Sequence, residues 1–414
     1  MSRNLLVSAD RIREDIDGLA AITEPDRPWT RRAFTPKFLE GRAWLEARFR
    51  SAGLETHVDA AGNLIGRRAG SDPAASTIML GSHSDTVPEG GRFDGIAGVS
   101  AALEVARSLR DREVTLRHGI EVVDFLAEEV SVFGVSCIGS RGMIGLRPEE
   151  WLERSSEGLK LREGIAQVGG NASVQSKRDD IAAFLELHIE QGPVLEQEQL
   201  DIGVVTAIAG ITRIEIVVEG RADHAGTTPM GARQDALVAA AQLVLAVERI
   251  ARGLAQGPTH FAATVGEFEV EPNAANVVPS RVRLLIDARA EDRAQMLGFQ
   301  SQLEANIREL QRQVGARIGG PKLISDNHPT PMDEVLQRTL VGSSEALGAR
   351  HRTMASGAGH DAAWLARVTR AGMIFIPCVG GRSHAPEEWA EIDDIALGAA
   401  VLLEAVQRLD KELD

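Results

Sequence analysis

The chain has 414 residues, 43% of them apolar and 25% charged, which is enough for more than one globular core. Its net charge of −15 argues against nucleic acid as the main partner, because phosphate binding needs a basic face. Two cysteines, Cys137 and Cys378, form neither a zinc spacing nor a disulfide framework and read as small buried hydrophobes. The opening stretch MSRNLLVSADRIRED carries charge every few residues and has no apolar leader run, and the longest apolar stretch, Ala236 to Val247, is too short to span a bilayer. A cytoplasmic protein is expected.

In chain order, Thr35-Pro36 predicts a helix start and Gly53 its end, with Phe38, Leu45 and Phe49 between them. Short strand-like runs follow: Ile78 to Leu80 leads into His83, Ile120 to Leu126 into Glu128-Glu129, and Phe184 to Leu187 into His188. An alanine- and leucine-rich helix, Ile96 to Leu109, lies between the first two. Alternating strands and helices predict a mostly parallel α/β sheet, whose ligands sit beyond the carboxyl ends of the strands. The pattern changes near residue 210. Arg213 to Gly220, Phe261 to Val270, Val282 to Ala290 and a weak Ala316 to Ile324 read as strands, with helices Asp235 to Arg252 and Ala294 to Gln313 among them. That β-α-β-β-α-β order is ferredoxin-like. The α/β pattern then resumes with a helix from Met332, a strand Met373 to Pro377 and a closing helix after Asp393. The expectation is a small α+β domain, 210–326, inserted into a larger discontinuous α/β domain, 1–209 and 327–414.

The strongest chemical signal is His83-Ser84-Asp85, followed by the glycine-rich turn Gly90 to Gly95 that contains Asp94. These are nitrogen and oxygen donors of zinc type, and the glycines let the turn bring Asp94 back towards His83. Asp85 is placed to orient the His83 ring rather than to bind metal. Of Glu128-Glu129, one carboxylate suits a metal and the other a proton transfer with water. His188 and His384 each follow an apolar run. Taken singly, each of these residues is ordinary loop polarity; together, four strand ends supply about the donors of a dinuclear site. Imidazoles and carboxylates suit Zn²⁺, with Mn²⁺, Co²⁺ or Ni²⁺ as alternatives. A second group lies in the inserted segment, where His224 suits an oxyanion, Asn276 substrate orientation, and Arg289 a carboxylate held by a planar fork.

The stretches GSHSDTVPEGGRFDG, AEE, ELHIEQGPVLE, DHAGTTPMGARQDA, PNAANVVP, SGAGHDA and GGRSHAPEE run over nearly the whole chain. In this order they resemble the metal-dependent amidases that comprise N-carbamoyl-L-amino-acid hydrolases, β-ureidopropionases and allantoate amidohydrolases, relatives of zinc aminopeptidases and carboxypeptidases. The resemblance implies a zinc-exopeptidase-like catalytic domain with an inserted lid and dimerisation domain, and two divalent ions. It implies that His83 and His188 ligate one ion, Glu129 and His384 the other, that Asp94 bridges them, and that Glu128 is the general base. It implies substrate contacts at Gln191, His224, Asn276, Arg289 and the Gly357 backbone, a homodimer, and closure around substrate. Two details qualify the substrate. Glu128-Glu129-Val130-Ser131-Val132-Phe133 departs from the family's Glu-Glu-Gly-Ser-Arg-Phe, and GGRSHAPEEW is nearer the carbamoylase form than the allantoate form.

The expected reaction is hydrolysis of a linear amide, the carbamoyl group of an N-carbamoyl amino acid or a small ureido acid. Water attacks the carbonyl as Glu128 takes its proton, and ammonia, CO₂ and the amino acid are released. Alternatives are an allantoate amidohydrolase, an aminoacylase or dipeptidase on the same fold, and a ligand-binding protein without catalysis. The last requires a lost ligand or base, whereas all five donors and Glu128 are present.

Overall fold

The computed structural model describes residues 5–174 and 177–413. Residues 1–4, which open the stretch read as lacking an apolar leader, lie outside the described residues. In chain order the elements that matter here are helices α1 (Ala9–Ala21) and α2 (Pro36–Ser51), strands β1 (Glu55–Val58), β2 (Leu64–Arg68) and β3 (Thr77–His83), helix α3 (Ile96–Asp111), and strands β4 (Gly119–Phe125), β5 (Ile181–Ile189) and β6 (Ile202–Ile208). Then come β7 (Gly210–Glu219), α4 (Ala236–Leu254), β8 (Phe261–Glu271), β9 (Arg281–Ala290), α5 (Arg293–Gln313), β10 (Arg317–Ile318) and β11 (Lys322–Asp326). Helix α6 (Glu334–Ala346), strand β12 (Arg370–Ile376) and helix α7 (Ile392–Glu412) close the chain.

The chain divides into two compact units. Among the described residues, the first holds those within 1–206, 332–354 and 360–414, and the second those within 207–331 and 355–359. Against the expected 210–326, the second unit also takes in a short piece around Gly357, which comes from distant sequence.

In the first unit the strands pair in the order β1-β2-β4-β3-β5-β12-β6. The central four, β4, β3, β5 and β12, run parallel. Their register sets His83 opposite Phe125 and His188 opposite Phe375, so the segments beyond these strands leave from one edge. Local chemistry starts the helices as expected: Thr35 Oγ1 accepts from the Phe38 N–H at 3.3 Å, and Gly53 takes φ 81° just beyond α2. Helix α1, capped by Ser8, was not anticipated. Helix α3 packs on β3 and β5 with α1 and α7 over it, and every residue from Ile96 to Leu109 is buried. A helix covered all round must be apolar or internally paired. Accordingly, its Glu104 is held by Arg11 and its Arg107 by Asp15. Cys137 and Cys378 are buried and free. Among the described residues, no helix is long and apolar enough to cross a membrane.

The second unit contains an antiparallel sheet in the order β8-β9-β7-β10, with β11 also paired to β7. Ile214, Ile216, Val218, Leu284 and Ile286 alternate inwards against Leu243 and Val247 of α4 and Phe299 and Leu303 of α5. The weak last strand expected over Ala316 to Ile324 is broken in two: the Gly319 N–H still donates to the Val217 carbonyl at 2.8 Å, but Pro321 has no N–H to carry the ladder on.

A buried ion pair anchors β4 near the site. Arg42 Nε lies 2.5 Å from Asp124 Oδ2, and its Nη1 donates to the Gly62 carbonyl at 2.7 Å. Arg42→Ala leaves Asp124 buried without its counter-charge, so urea unfolding should show a loss of about 3–5 kcal/mol. A loss below about 1 kcal/mol would contradict that role.

Candidate metal centre

Four strand ends at the carboxyl edge of the parallel sheet build the site. His83 ends β3, the turn after it carries Asp94 into α3, Glu128 and Glu129 follow β4, and His384 follows β12. His188 sits within β5, close to its end. Two backbone carbonyls orient the buried imidazoles: Asp85 O lies 3.0 Å from His83 Nδ1, and Ile189 O lies 2.9 Å from His188 Nδ1. A carbonyl can only accept, so each Nδ1 carries the hydrogen and each Nε2 keeps a lone pair for the interior. These Nε2 atoms lie 3.4 and 3.2 Å from Asp94 Oδ1. On the other side, His384 Nε2 lies 3.3 Å from Asp94 Oδ2 and 3.0 Å from Glu129 Oε1.

The result is two donor sets, His83–Asp94–His188 and Asp94–Glu129–His384, each with ligand atoms within 4.8 Å of one another. They share Asp94, one oxygen to each set. The donors are those a divalent transition metal takes. Gly95 makes the approach feasible: it has φ 67°, and a Cβ there would lie 2.5 Å from the His83 ring.

The electrostatics follow from burial. The Asp94 carboxyl is 5% exposed, and burial alone would raise it; His188, His384 and His83 overturn that and hold it well below the usual carboxylate range. His384 is pushed up to about 11 by hydrogen bonds to Asp94 and then Glu129. Burial works against a charged His83, but Asp94, Glu128 and Asp85 outweigh it and raise the ring well above its ordinary value. Glu128 belongs to neither set, and its Oε2 is 3.7 Å from His83 Nε2. Burial pushes its carboxyl well up; His83 opposes this, and Glu129 and Asp361 add to it.

Asp85 departs from expectation. Its carbonyl, not its carboxylate, makes the hydrogen bond to His83, and the nearest carboxylate oxygen is 3.6 Å from Nδ1. The carboxylate instead accepts the N–H groups of Glu128 and Glu129, each at 3.2 Å, and so fixes the acidic pair. Burial, against His83 but with Glu129 and Asp124, pushes it up to about 7. Gln191 Nε2 donates to Asp94 Oδ2 at 2.6 Å.

The other expected residues belong to the second unit. His224 and Val277 form a β-bridge, and the Ala225 N–H donates to the Asn276 carbonyl at 2.9 Å, so these two turns are neighbours. Arg289 Nη1 donates to the Gly357 carbonyl at 2.8 Å and Nε to Asp287 at 2.8 Å. His360, Asp361, Ser383 and Glu388 received no role from sequence, although they lie in the quoted stretches SGAGHDA and GGRSHAPEE. His360 packs edge-on to His188, with ring centroids 4.6 Å apart, and Asp361 Oδ1 accepts from Ser140 Oγ at 2.5 Å. A histidine or acid beside a ligand motif was their only signal.

A family model described as Peptidase family M20/M25/M40 matches residues 79–408. N-carbamoyl-L-amino-acid amidohydrolase of Paenarthrobacter aurescens is 38% identical over 409 residues, 97% of this chain and 98% of that protein. Ureidoglycolate hydrolase of Oryza sativa subsp. japonica is 36% identical over 416 residues, 97% of this chain and 85% of that protein. The crystal structure of an amidase of the hydantoinase/carbamoylase family from Burkholderia multivorans is 37% identical, with a TM-score of 0.90, covering 96% of this chain and 97% of that one. The molecule is an amide-hydrolysing enzyme of a metal-dependent class. The chain belongs to the peptidase family M20/M25/M40.

Gly95→Ala should displace the His83 ring and lower the divalent metal bound per chain, measured by elemental analysis, with the far-UV circular dichroism unchanged. Wild-type metal content in a folded variant would show that the close approach is not required.

Proposed function

We propose that the chain hydrolyses the carbamoyl C–N bond of an N-carbamoyl amino acid or a related small ureido acid, releasing ammonia, CO₂ and the amino acid. The observation that carries this reading is the pair of donor sets on one shared carboxylate, with a third acid, Glu128, outside both. The names of the two relatives support the substrate class, since one denotes an N-carbamoyl amino acid amidohydrolase and the other a ureidoglycolate hydrolase.

In this reading His83, Asp94 and His188 hold one divalent ion, and Asp94, Glu129 and His384 a second, Zn²⁺ being our assignment. When bound, the ions supply Lewis acidity to the carbonyl and lower the pKa of water in the site. Glu128 takes the proton of the attacking water and returns it to the departing amine nitrogen. Asp85 keeps Glu128 and Glu129 in register through their N–H groups. His224 donates to the developing oxyanion, Arg289 grips the substrate carboxylate as a planar fork, and Gln191, Asn276 and the Gly357 backbone orient the rest. Collapse of the carbamate then yields CO₂ and ammonia.

We assign the second unit to a ferredoxin-like lid and dimerisation domain inserted in a zinc-exopeptidase-like catalytic domain. Support comes from its strand order, from β8 as an edge strand and from exposed Leu237, Val238 and Leu245 on α4, a stripe that suits a second copy. Two free cysteines fit a reducing compartment, and the proposal places the enzyme in the cytoplasm.

Metal-loaded protein should release ammonia from N-carbamoyl amino acids far faster than amino acid from dipeptides; equal or reversed rates would reject the substrate class. Glu128→Gln should keep both ions and lose about 10²–10⁴-fold in turnover, whereas near-normal turnover removes Glu128 from the base role. Arg289→Lys should lower kcat/KM by roughly tenfold or more on carboxylate substrates, with little change for their amides, if the fork grips the carboxylate.

A further inference from the structure

Glu388 is 1% exposed, and the proposed reaction gives it nothing to do. Its Oε1 accepts the N–H of Phe93 at 2.8 Å and of Asp94 at 3.0 Å, and its Oε2 lies 2.7 Å from Ser383 Oγ. The same Ser383 hydroxyl lies 2.9 Å from Asp94 Oδ2, and Ser383 directly precedes His384. One buried carboxylate therefore reaches the turn that carries Asp94, the Asp94 side chain through a single hydroxyl, and the segment that carries His384. The turn is shaped around it, since a Cβ on Gly91 would lie 1.8 Å from Glu388 Oε1. From outside, the Arg92 guanidinium lies over both Trp29 and Trp389, 5.0 and 5.3 Å from their centroids, and clasps the same two segments.

The two donor sets are not equally supported. His83 and His188 are buried at the ends of strands, with their rings held by strand-end carbonyls. His384 lies on a loop with φ 55° and a side chain 48% exposed. Its position depends on whatever ties that loop to Asp94.

We propose that Glu388, acting through Ser383, is the positioning residue of the Asp94–Glu129–His384 set. It turns Asp94 Oδ2 towards His384 and fixes the affinity of that position, while the His83–His188 position stands on its own strands. This rests on the two-position reading of the site.

The test uses the full-length protein, stripped with chelator and titrated with Mn²⁺, with affinities read by calorimetry and the spin-coupled ion pair by electron paramagnetic resonance. Wild type should bind two ions. Glu388→Ala should weaken one of them by about 10–100-fold and abolish the coupled signal, leaving the other ion unchanged. Ser383→Ala should do the same in a folded protein, because it leaves the Phe93 and Asp94 N–H groups paired, so misfolding of Glu388→Ala does not decide the matter. Glu388→Gln keeps an oxygen for those N–H groups and an N–H for Ser383, and should restore most of the affinity. Two wild-type affinities in Ser383→Ala, or equal weakening of both ions, would overturn the positioning role. A single ion in wild type would overturn the two-position reading, and this inference with it.

Discussion

Everything at this site turns on one buried carboxylate. Asp94 offers one oxygen to His83 and His188 and the other to His384, at 3.2 to 3.4 Å. A charge taken out of water needs partners close by, and here three imidazoles converge on it from three separate segments. Because Asp94 faces both sets, the two positions share a carboxylate that neither strand end holds alone. The site is therefore a property of the assembled sheet edge and not of any one loop.

The scaffold is built to hold that edge. The parallel register sets the ends of β3 and β5 beside those of β4 and β12, so residues more than 100 positions apart meet. Behind them lies a layer of buried charge. Arg42 faces Asp124, Ser84 Oγ donates to Asp124 at 3.0 Å, and Arg31 donates to the Ser84 and Leu19 carbonyls. Burial, partly offset by Asp124 and Asp85, brings the Arg31 guanidinium down to about 10. These contacts tie the segment after His83 to α1, α2 and β4. Rigid support of this kind lets a polar site persist inside an apolar fold.

Much of this was legible in the set and not in any single residue. His83, Glu129, His188 and His384 recur near the ends of apolar runs and Asp94 lies in a glycine-rich turn, and together they read as donors. The cap at Thr35 was visible because capping is a local hydrogen bond. Asp85 shows the limit. Its proximity to His83 in sequence suggested that its side chain would hold the ring, yet the carbonyl does so and the side chain turns to the amides of Glu128 and Glu129. Glu388 was hidden for the same reason, since its partners, Phe93 and Asp94, are almost 300 positions away.

By itself the sequence determined the alternation of strands and helices, the cap at Thr35 and the inventory of donors, because periodicity, capping and residue chemistry act over a few neighbouring positions. The tertiary structure alone decided which oxygen faces which imidazole, that Asp85 serves the acidic pair, and that Glu388 stands behind the shared carboxylate. Those are matters of distance between remote segments. Only the register of the sheet and the packing of buried charge set such distances.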